Sequence, residues 1–277
     1  MHGKRLKMIV QIGLFCLVVL WGCQAVAAPS ADLWPRWQTY DATSAEVVDH
    51  RLWNELLGRY VQVNPQGINR FRYQAVSLKD KGQLGRYLAQ LQEIKVSTLN
   101  RQEQKALWIN LYNALTVQVI LNHYPVKSIM DIDISPGFFS NGPWGAKLLR
   151  IEGEKLSLND IEHRILRPIF KDNRVHYGLN CASLGCPNLQ PQAFTAENMA
   201  ALLDQSATAY VNHVRGAQLL DGKLRVSSIY KWFQADFGGS DQQVVRHLRR
   251  YAKGDLAQKL KTYQGRLRFD YNWNLNE

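Results

Sequence analysis

The fold is decided by one apolar stretch, which reads Leu107-Trp-Ile-Asn-Leu-Tyr-Asn-Ala-Leu-Thr-Val-Gln-Val-Ile120. It lies within a helical pattern that begins at Gln102, ends at His123 and is stopped by Pro125. Apolar side chains occupy nearly every side of this helix, so it has no continuous face for solvent. The sequence therefore predicts a central helix that is buried all round.

Two amides, Asn110 and Asn113, interrupt this apolar stretch. Their three-residue spacing places them on one face of the helix, together with Val117. Burying an amide without a partner costs on the order of a few kcal/mol, so each side chain needs a partner. Two roles stay open. The amides could orient a catalytic histidine or face an oxyanion, or they could bind the backbone of a packed loop.

The segments around the central helix are shorter and of both kinds. Asp221-Gly222 predicts a tight hairpin turn, and Ser157-Leu-Asn-Asp160 predicts a capped helix that ends near Arg167, before Pro168. Other patterns predict helices at 45–61, 82–93, 195–214, 228–236 and 241–252, and strands at 147–151, 174–180 and 266–273. The sequence predicts an α+β fold, a helix-rich single domain around one central buried helix with a small, mostly antiparallel sheet.

The first residues have the pattern of an export signal. Basic residues precede an apolar run from Met8 to Gly22, and Ala25-Val-Ala27 has the small-x-small pattern of a signal-peptidase site. We therefore expect a signal peptide over residues 1–27 and a periplasmic or secreted protein. A second interpretation stays open, in which Cys23 is acylated and anchors a lipoprotein.

Composition fits a folded domain after this leader. Hydrophobic residues make up 46% of the 277-residue chain, and aromatic residues 10%. Residues 28–44 hold two prolines and small polar residues and predict a flexible lead-in, whereas residues 45–277 predict a single globular domain. Beyond residue 28 no apolar run is long enough to span a membrane.

Charge excludes few partners. The net charge is +11, and the leader contributes three basic residues and no acid, which leaves the mature chain near +8. Anionic envelope partners fit this charge, but the basic residues are scattered and no nucleic-acid module accompanies them. We expect an unknown substrate or envelope partner, no nucleic acid and no cofactor.

The mature chain keeps two cysteines, Cys181 and Cys186, in a loop that holds Gly and Ser. A structural disulfide between them is one interpretation, since an oxidising compartment favours it. In a second interpretation Cys181 is a nucleophile, and His163 or His176 is the base that lowers the pKa of its thiol. Zinc bound by two cysteines and two histidines is a third, although the spacing matches no standard zinc module.

Glu162 stands beside His163 on the predicted capped helix. We include Glu162 among the candidate catalytic residues, although an ordinary solvated helix face would also place a carboxylate there.

Several segments together resemble the family called domain of unknown function 547. These segments are Trp108–Leu115, Leu156–His163, Arg167-Pro168, His176 with Leu179–Ser183, Ser228–Phe233, Asp236–Gly238 and Tyr271–Asn276. The resemblance covers roughly residues 45–276 and implies one domain without an assigned reaction. It implies that the asparagine pair, the Glu-His segment and the His-Cys segment are recurring polar features. It also implies that Cys181 is the more regular cysteine and Cys186 the less regular one.

Two function classes follow from these observations. The first is an envelope Cys-dependent hydrolase or acyl transferase, with Asn110 or Asn113 beside the reacting groups. The second is a non-enzymatic envelope binding module, in which a Cys181–Cys186 disulfide is purely structural.

Overall fold

The computed structural model describes residues 30–65, 67–137 and 142–277. The predicted signal peptide and Cys23 lie outside these residues. Among the described residues, no helix has both the length and the apolar character needed to cross a membrane.

The central helix is α3, which spans Arg101–His123. Asn100 caps its first turn, because the Asn100 Oδ1 accepts hydrogen bonds from the backbone N–H groups of Gln102 and Glu103. From Glu103 to Leu121 every residue is buried except the half-buried Gln118. This burial on all sides confirms what the unbroken apolar pattern predicts.

Helices surround α3 in the described part of the chain. Their bounds are α1 Arg51–Tyr60, α2 Leu78–Glu93, α4 Arg167–Phe170, α5 Val175–Gly178, α6 Met199–Val211, α7 Ile229–Trp232, α8 Asp241–Tyr251 and α9 Gly254–Leu260. A π-helix, Asp160–Leu166, continues directly into α4. Short 3-10 helices cover Pro35–Gln38, Tyr73–Ala75, Val96–Thr98, Ile129–Asp131 and Gln234–Phe237. The helix-rich α+β class is confirmed.

The strands are short and form three separate sheets in the described residues. Their bounds are β1 Val61–Gln62, β2 Arg70–Phe71, β3 Leu149–Ile151, β4 Glu154–Leu156, β5 Ala217–Leu220, β6 Lys223–Ser227 and β7 Leu267–Asp270. Three pairs are antiparallel and one, β6 with β7, is parallel. Asp221 and Gly222 both have positive φ between β5 and β6, as the predicted tight turn requires.

The apolar core has two clusters. The larger one surrounds α3 and takes side chains from α1, α2, β3, β4 and the π-helix. The smaller one lies between α6, α8 and the three-stranded sheet, with Tyr177 of α5 among its members. The smaller cluster therefore includes α5, and Leu179, which follows α5 and leads into the cysteine loop, belongs to the larger one.

The structure corrects the prediction of a strand at 174–180. These residues form the short helix α5 instead, and the backbone N–H of Val175 donates to the carbonyl of Asp172. The Asp172 carboxylate also accepts the backbone N–H of Arg174. Hydrogen bonds to Asp172 therefore begin the helix. The sequence does not reveal this start, because the apolar residues that follow are also typical of a buried strand.

A further prediction differs from the structure at Pro168. The helix predicted to end before Pro168 continues through it to Phe170. Because proline has no N–H, the helix leaves carbonyls of the preceding turn available. The carbonyls of His163 and Arg164 accept the backbone N–H groups of Asp32 and Trp34. These two residues of the predicted lead-in, residues 28–44, are therefore bonded to the helix.

We expect Leu111→Ala to lower the free energy of unfolding by about 2–5 kcal/mol, because Leu111 is fully buried on α3 and its truncation leaves a cavity. Leu78→Ala is the matched control, since the Leu78 side chain is 87% exposed, and its effect stays within about 0.5 kcal/mol. Denaturant unfolding of both variants measures the difference. Equal destabilisation by the two changes contradicts the central position of α3.

Candidate functional site

Cys181 and Cys186 lie in direct contact. Their Sγ atoms are 2.6 Å apart, and the backbone N–H of Cys181 donates to the Cys186 Sγ at 2.9 Å. The structure contains no disulfide between them, so both are free thiols. Cys181 is half-buried and Cys186 is buried. Cys181 is therefore the more accessible member of the pair.

Two hydroxyl groups complete the surroundings of the Cys181 sulfur. The Tyr271 hydroxyl lies 3.1 Å from it, and the Ser183 Oγ lies 3.3 Å from it. Ser183 also donates to the Tyr271 hydroxyl at 3.0 Å. The sulfur therefore sits among groups that can each exchange or donate a proton.

Contact between the thiols drives their pKa values apart. The hydrogen bond with Cys186, together with burial, raises the pKa of Cys181 well above its usual value. Burial also opposes ionisation of Cys186, but hydrogen bonds from Cys181 and Tyr271 outweigh it and lower the pKa of Cys186 to about 7. When the two thiols lose their first proton, the negative charge therefore lies on Cys186.

Buried amides hold this loop in place. The Asn113 side chain donates to the Gly178 carbonyl at 2.8 Å and accepts the Asn180 N–H at 2.9 Å. Asn110 makes the same paired contacts with the backbone N–H and carbonyl of Phe194. Both amides therefore bind packed backbone, which is the second of the two roles that the sequence leaves open.

The C-terminal segment fastens the other side of the loop. The N–H groups of Leu184 and Gly185 donate to the carbonyls of Asn274 and Asn272, each at 2.8 Å. A Cβ on Gly185 would lie 2.9 Å from the Asn272 backbone, so only glycine permits this close approach. The loop that carries the thiols is thus bonded on both sides.

The predicted histidines meet in a second cluster, on the π-helix, α5 and the 3-10 helix at 234–237. His176 Nε2 is 2.8 Å from the Asp236 carboxylate, and Arg167 Nε donates to the same carboxylate at 2.6 Å. An Arg167 guanidinium nitrogen lies 3.1 Å from His163 Nδ1. Glu162 is 3.8 Å from His176 Nδ1. We call these five residues the acid–base cluster.

Burial sets the protonation of this cluster. It raises the pKa of Glu162 to about 7, although Arg167 and a hydrogen bond from Tyr112 act in the opposite direction. Burial lowers the pKa of His163 to about 3, with help from the Arg167 charge, and also lowers the pKa of His176. At neutral pH both imidazoles are neutral and Glu162 exchanges its proton.

Tyr112 connects the cluster to the thiols. Its hydroxyl bonds to Glu162, and burial, followed by the charges of Glu162 and both cysteines, raises the pKa of Tyr112 well above its usual value. The charge of Cys186 in turn raises the pKa of Glu162. The charges of Glu162 and of the thiol pair therefore interact electrostatically through the buried protein between them.

The sequence-predicted residues thus separate into two neighbouring groups. Among the described residues, the hydrogen-bond partners of the Cys181 sulfur are Cys186, Ser183 and Tyr271, and neither histidine is one of them. His163 and His176 accompany Glu162 instead.

Sequence reasoning did not single out four contributors to these two groups, which are Tyr112, Arg167, Asp236 and Tyr271. All four lie in or directly beside motifs that carry the family resemblance, which is the signal that could have found them. Within the described ranges no cluster of three or more Cys, His, Asp or Glu side chains is arranged to hold a metal ion.

Half-buried aromatic rings pack beside Tyr271, whose hydroxyl contacts the Cys181 sulfur. Trp232 and Trp273 lie 4.8 and 4.7 Å from the Tyr271 ring, measured between centroids. Trp144 contacts Trp273, and Phe233 stacks on His176 at 4.3 Å. Half-buried aromatic rings therefore lie both beside Tyr271 and in the acid–base cluster.

Glu162→Gln tests the raised pKa of the Glu162 carboxyl. The folded-state pKa, about 7, lies above the ordinary value of 4.5, so the unfolded chain releases this proton first as the pH rises. The wild type therefore loses stability between these two values, while the neutral amide does not. We expect the stability of Glu162→Gln relative to wild type to grow by up to roughly 3 kcal/mol between pH 5 and pH 8.

Denaturant unfolding at the two pH values measures this difference. Glu197→Gln, at an exposed carboxylate, is the control for removing one negative charge. A Glu162→Gln difference that is the same at pH 5 and pH 8 contradicts the prediction.

Comparison with known proteins identifies a family. Residues 96–211 match the family model described as "Protein of unknown function, DUF547". No curated protein and no solved structure matches the chain. The matched residues include the asparagine pair, the Glu-His segment and the thiol loop, and are fewer than the roughly 45–276 expected from the motifs. The chain therefore contains a domain of the DUF547 family.

Proposed function

We propose that this protein is an exported Cys-dependent hydrolase or acyl transferase, with Cys181 as its nucleophile. One observation carries the proposal: a half-exposed thiol contacts a second, buried thiol whose pKa is lowered to about 7. At neutral pH Cys186 is therefore a thiolate for part of the time and is positioned to accept the Cys181 proton. Such a nucleophile and base in contact fit covalent catalysis.

The reaction balances with the groups present. Cys181 gives its proton to the Cys186 thiolate, and the Cys181 sulfur forms a bond to the acyl carbon. The bond from that carbon to the leaving group breaks, and the leaving group takes the proton from Cys186. Water or an acceptor hydroxyl or amine then attacks the thioester, and the proton it releases returns to Cys181 through Cys186.

Neighbouring groups support this chemistry. The hydroxyls of Ser183 and Tyr271 lie at the reacting sulfur, where a donor stabilises developing negative charge. Glu162, with a pKa of about 7, is a second group that gains and loses a proton at neutral pH. His176 contributes by bonding to Asp236, and His163 by its contact with Arg167, so the histidines act within the acid–base cluster.

Export is the second part of the proposal and is supported by the pattern of residues 1–28. Cleavage near Ala27 gives a mature protein in the periplasm or medium, whereas acylation of Cys23 gives a membrane-anchored one. The two outcomes differ in the mature N-terminus.

Acetylation by p-nitrophenyl acetate tests the nucleophile. We expect one acetyl group on Cys181 of the mature protein and none on Cys181→Ala, as read by intact and peptide mass spectrometry. We expect Cys186→Ala to acetylate Cys181 about 10²–10⁴-fold more slowly at pH 7, because the proton acceptor is missing. The inflection of the rate near pH 7 should move to higher pH in that variant.

Two results contradict the enzyme proposal. Equal acetylation of wild type and Cys181→Ala shows that the thiol is not the nucleophile. Purified mature protein with no free thiol before reduction favours the binding module with a structural disulfide, which is the alternative function. The mature chain has no other cysteine, so the thiol count is unambiguous.

Processing of the chain with its own leader tests export. We expect N-terminal sequencing to begin at or next to Ala28, in the periplasmic fraction, for wild type and Cys23→Ser alike. A lipid-modified Cys23 at the N-terminus, lost in Cys23→Ser, establishes the lipoprotein instead. Full-length protein in the cytoplasm contradicts both forms of export.

A further inference from the structure

A surface cavity of about 360 Å³ lies apart from the residues of the thiol pair and the acid–base cluster. It opens between the first turns of α3, the end of α4 and the start of α6. Its volume falls within the range of about 300–1,000 Å³ that is usual for small-molecule sites. None of the residues in the proposed chemistry lines it.

Cations outnumber carboxylates on the wall of this cavity. Arg101, Lys105 and Arg174 line it, and Asp172 is the carboxylate among the lining residues. Lys105 Nζ is 2.6 Å from the Asp172 carboxylate, and Arg174 binds the same carboxylate through two nitrogens at 2.8 and 2.9 Å. Arg174 also pairs at 3.0 Å with Asp204, whose side chain is 55% exposed and whose contribution is correspondingly screened. One half-buried carboxylate is thus shared between two cations.

Arg101 is the third cation, and its partners are neutral. Its guanidinium donates to Gln104 Oε1 at 2.8 Å and to the Gln38 carbonyl at 2.6 Å, and lies 4.1 Å from the centre of the Tyr40 ring. Within the described ranges no carboxylate lies within 4.0 Å of it. The wall of the cavity therefore carries a surplus positive charge, because Arg101 has no carboxylate partner there.

Apart from Gln102, the rest of the wall is apolar. Phe170 lies beneath both Arg101 and Lys105, each cation 5.8 Å from the ring centroid, and the half-buried Ile169 also lines the cavity. A ligand that reaches the cations must therefore also cover apolar surface.

We propose that this cavity binds a small organic anion, with a carboxylate or phosphate headgroup at Arg101 and Lys105 and a short apolar tail against Phe170 and Ile169. Guanidinium binds such oxyanions through paired hydrogen bonds, and the surplus cation gives the headgroup its counter-charge. The apolar wall selects an amphiphile over a free inorganic anion. The site does not depend on the thiol chemistry.

Calorimetric titration of the mature protein tests the site with four probes. Octanoate and octyl phosphate carry the two headgroups on one tail, inorganic phosphate lacks the tail, and octanol lacks the charge. We expect binding of at least one of the charged amphiphiles, roughly tenfold or more weaker binding of inorganic phosphate, and no binding of octanol. The difference between octanoate and octyl phosphate distinguishes the headgroup.

Two pairs of variants localise the binding. We expect Arg101→Gln to weaken it roughly tenfold or more, while Arg246→Gln, at an exposed arginine on α8, leaves it unchanged. Ala200→Trp places a large ring over the cavity from an exposed position, and Ala201→Trp makes the same change at the neighbouring exposed residue outside it. The first should abolish binding and the second should retain it.

The tryptophan pair keeps the test decisive if Arg101→Gln unfolds, since neither alanine is in the core. The proposal is overturned if no charged amphiphile binds, if octanol binds as tightly as octanoate, or if Ala200→Trp and Ala201→Trp bind equally well.

Discussion

Burial of α3 on every side makes an unpaired amide or carboxylate on this helix costly, and the structure bonds these groups inside the protein. The Asn113 amide bonds to the backbone that enters the thiol loop, and the Asn110 amide bonds to the backbone of Phe194. The Glu103 carboxylate accepts the backbone N–H of Val48 at 3.1 Å, which fixes the segment before α1. One helix therefore serves as the apolar centre and as the frame that positions the loops around it.

The same burial explains the unusual protonation around Tyr112. Low polarity disfavours every charged form, so it moves carboxyl and imidazole pKa values in opposite directions, up for Glu162 and down for His163. Burial opposes ionisation of Asp236, but hydrogen bonds from His176 and Arg167 outweigh it and lower the pKa of Asp236 to about 2. The result is a buried region in which a neutral imidazole, His163, lies next to a carboxyl, Glu162, with a pKa of about 7. Such groups are suited to proton transfer near neutral pH.

Much of this arrangement follows from local sequence. The unbroken apolar run predicts the buried α3, Asp221-Gly222 predicts the hairpin, and Ser157 with Asp160 predicts a reciprocal cap that the structure contains. The meeting of Arg167 with Asp236 could not be predicted, because 69 residues separate them and only tertiary packing brings them together. Short sequence motifs predict hydrogen bonds within one helical turn. A charge pair between residues far apart in the chain leaves no periodic pattern in the sequence.

The absence of a backbone N–H at Pro168 has an effect on a segment that is distant in sequence. Because this proline donates nothing, the carbonyls of the turn before it hold the backbone at Asp32 and Trp34. That turn belongs to the π-helix that carries Glu162 and His163. The segment at Asp32 and Trp34 is therefore bonded to the same helical turn that carries the proton-exchanging carboxyl.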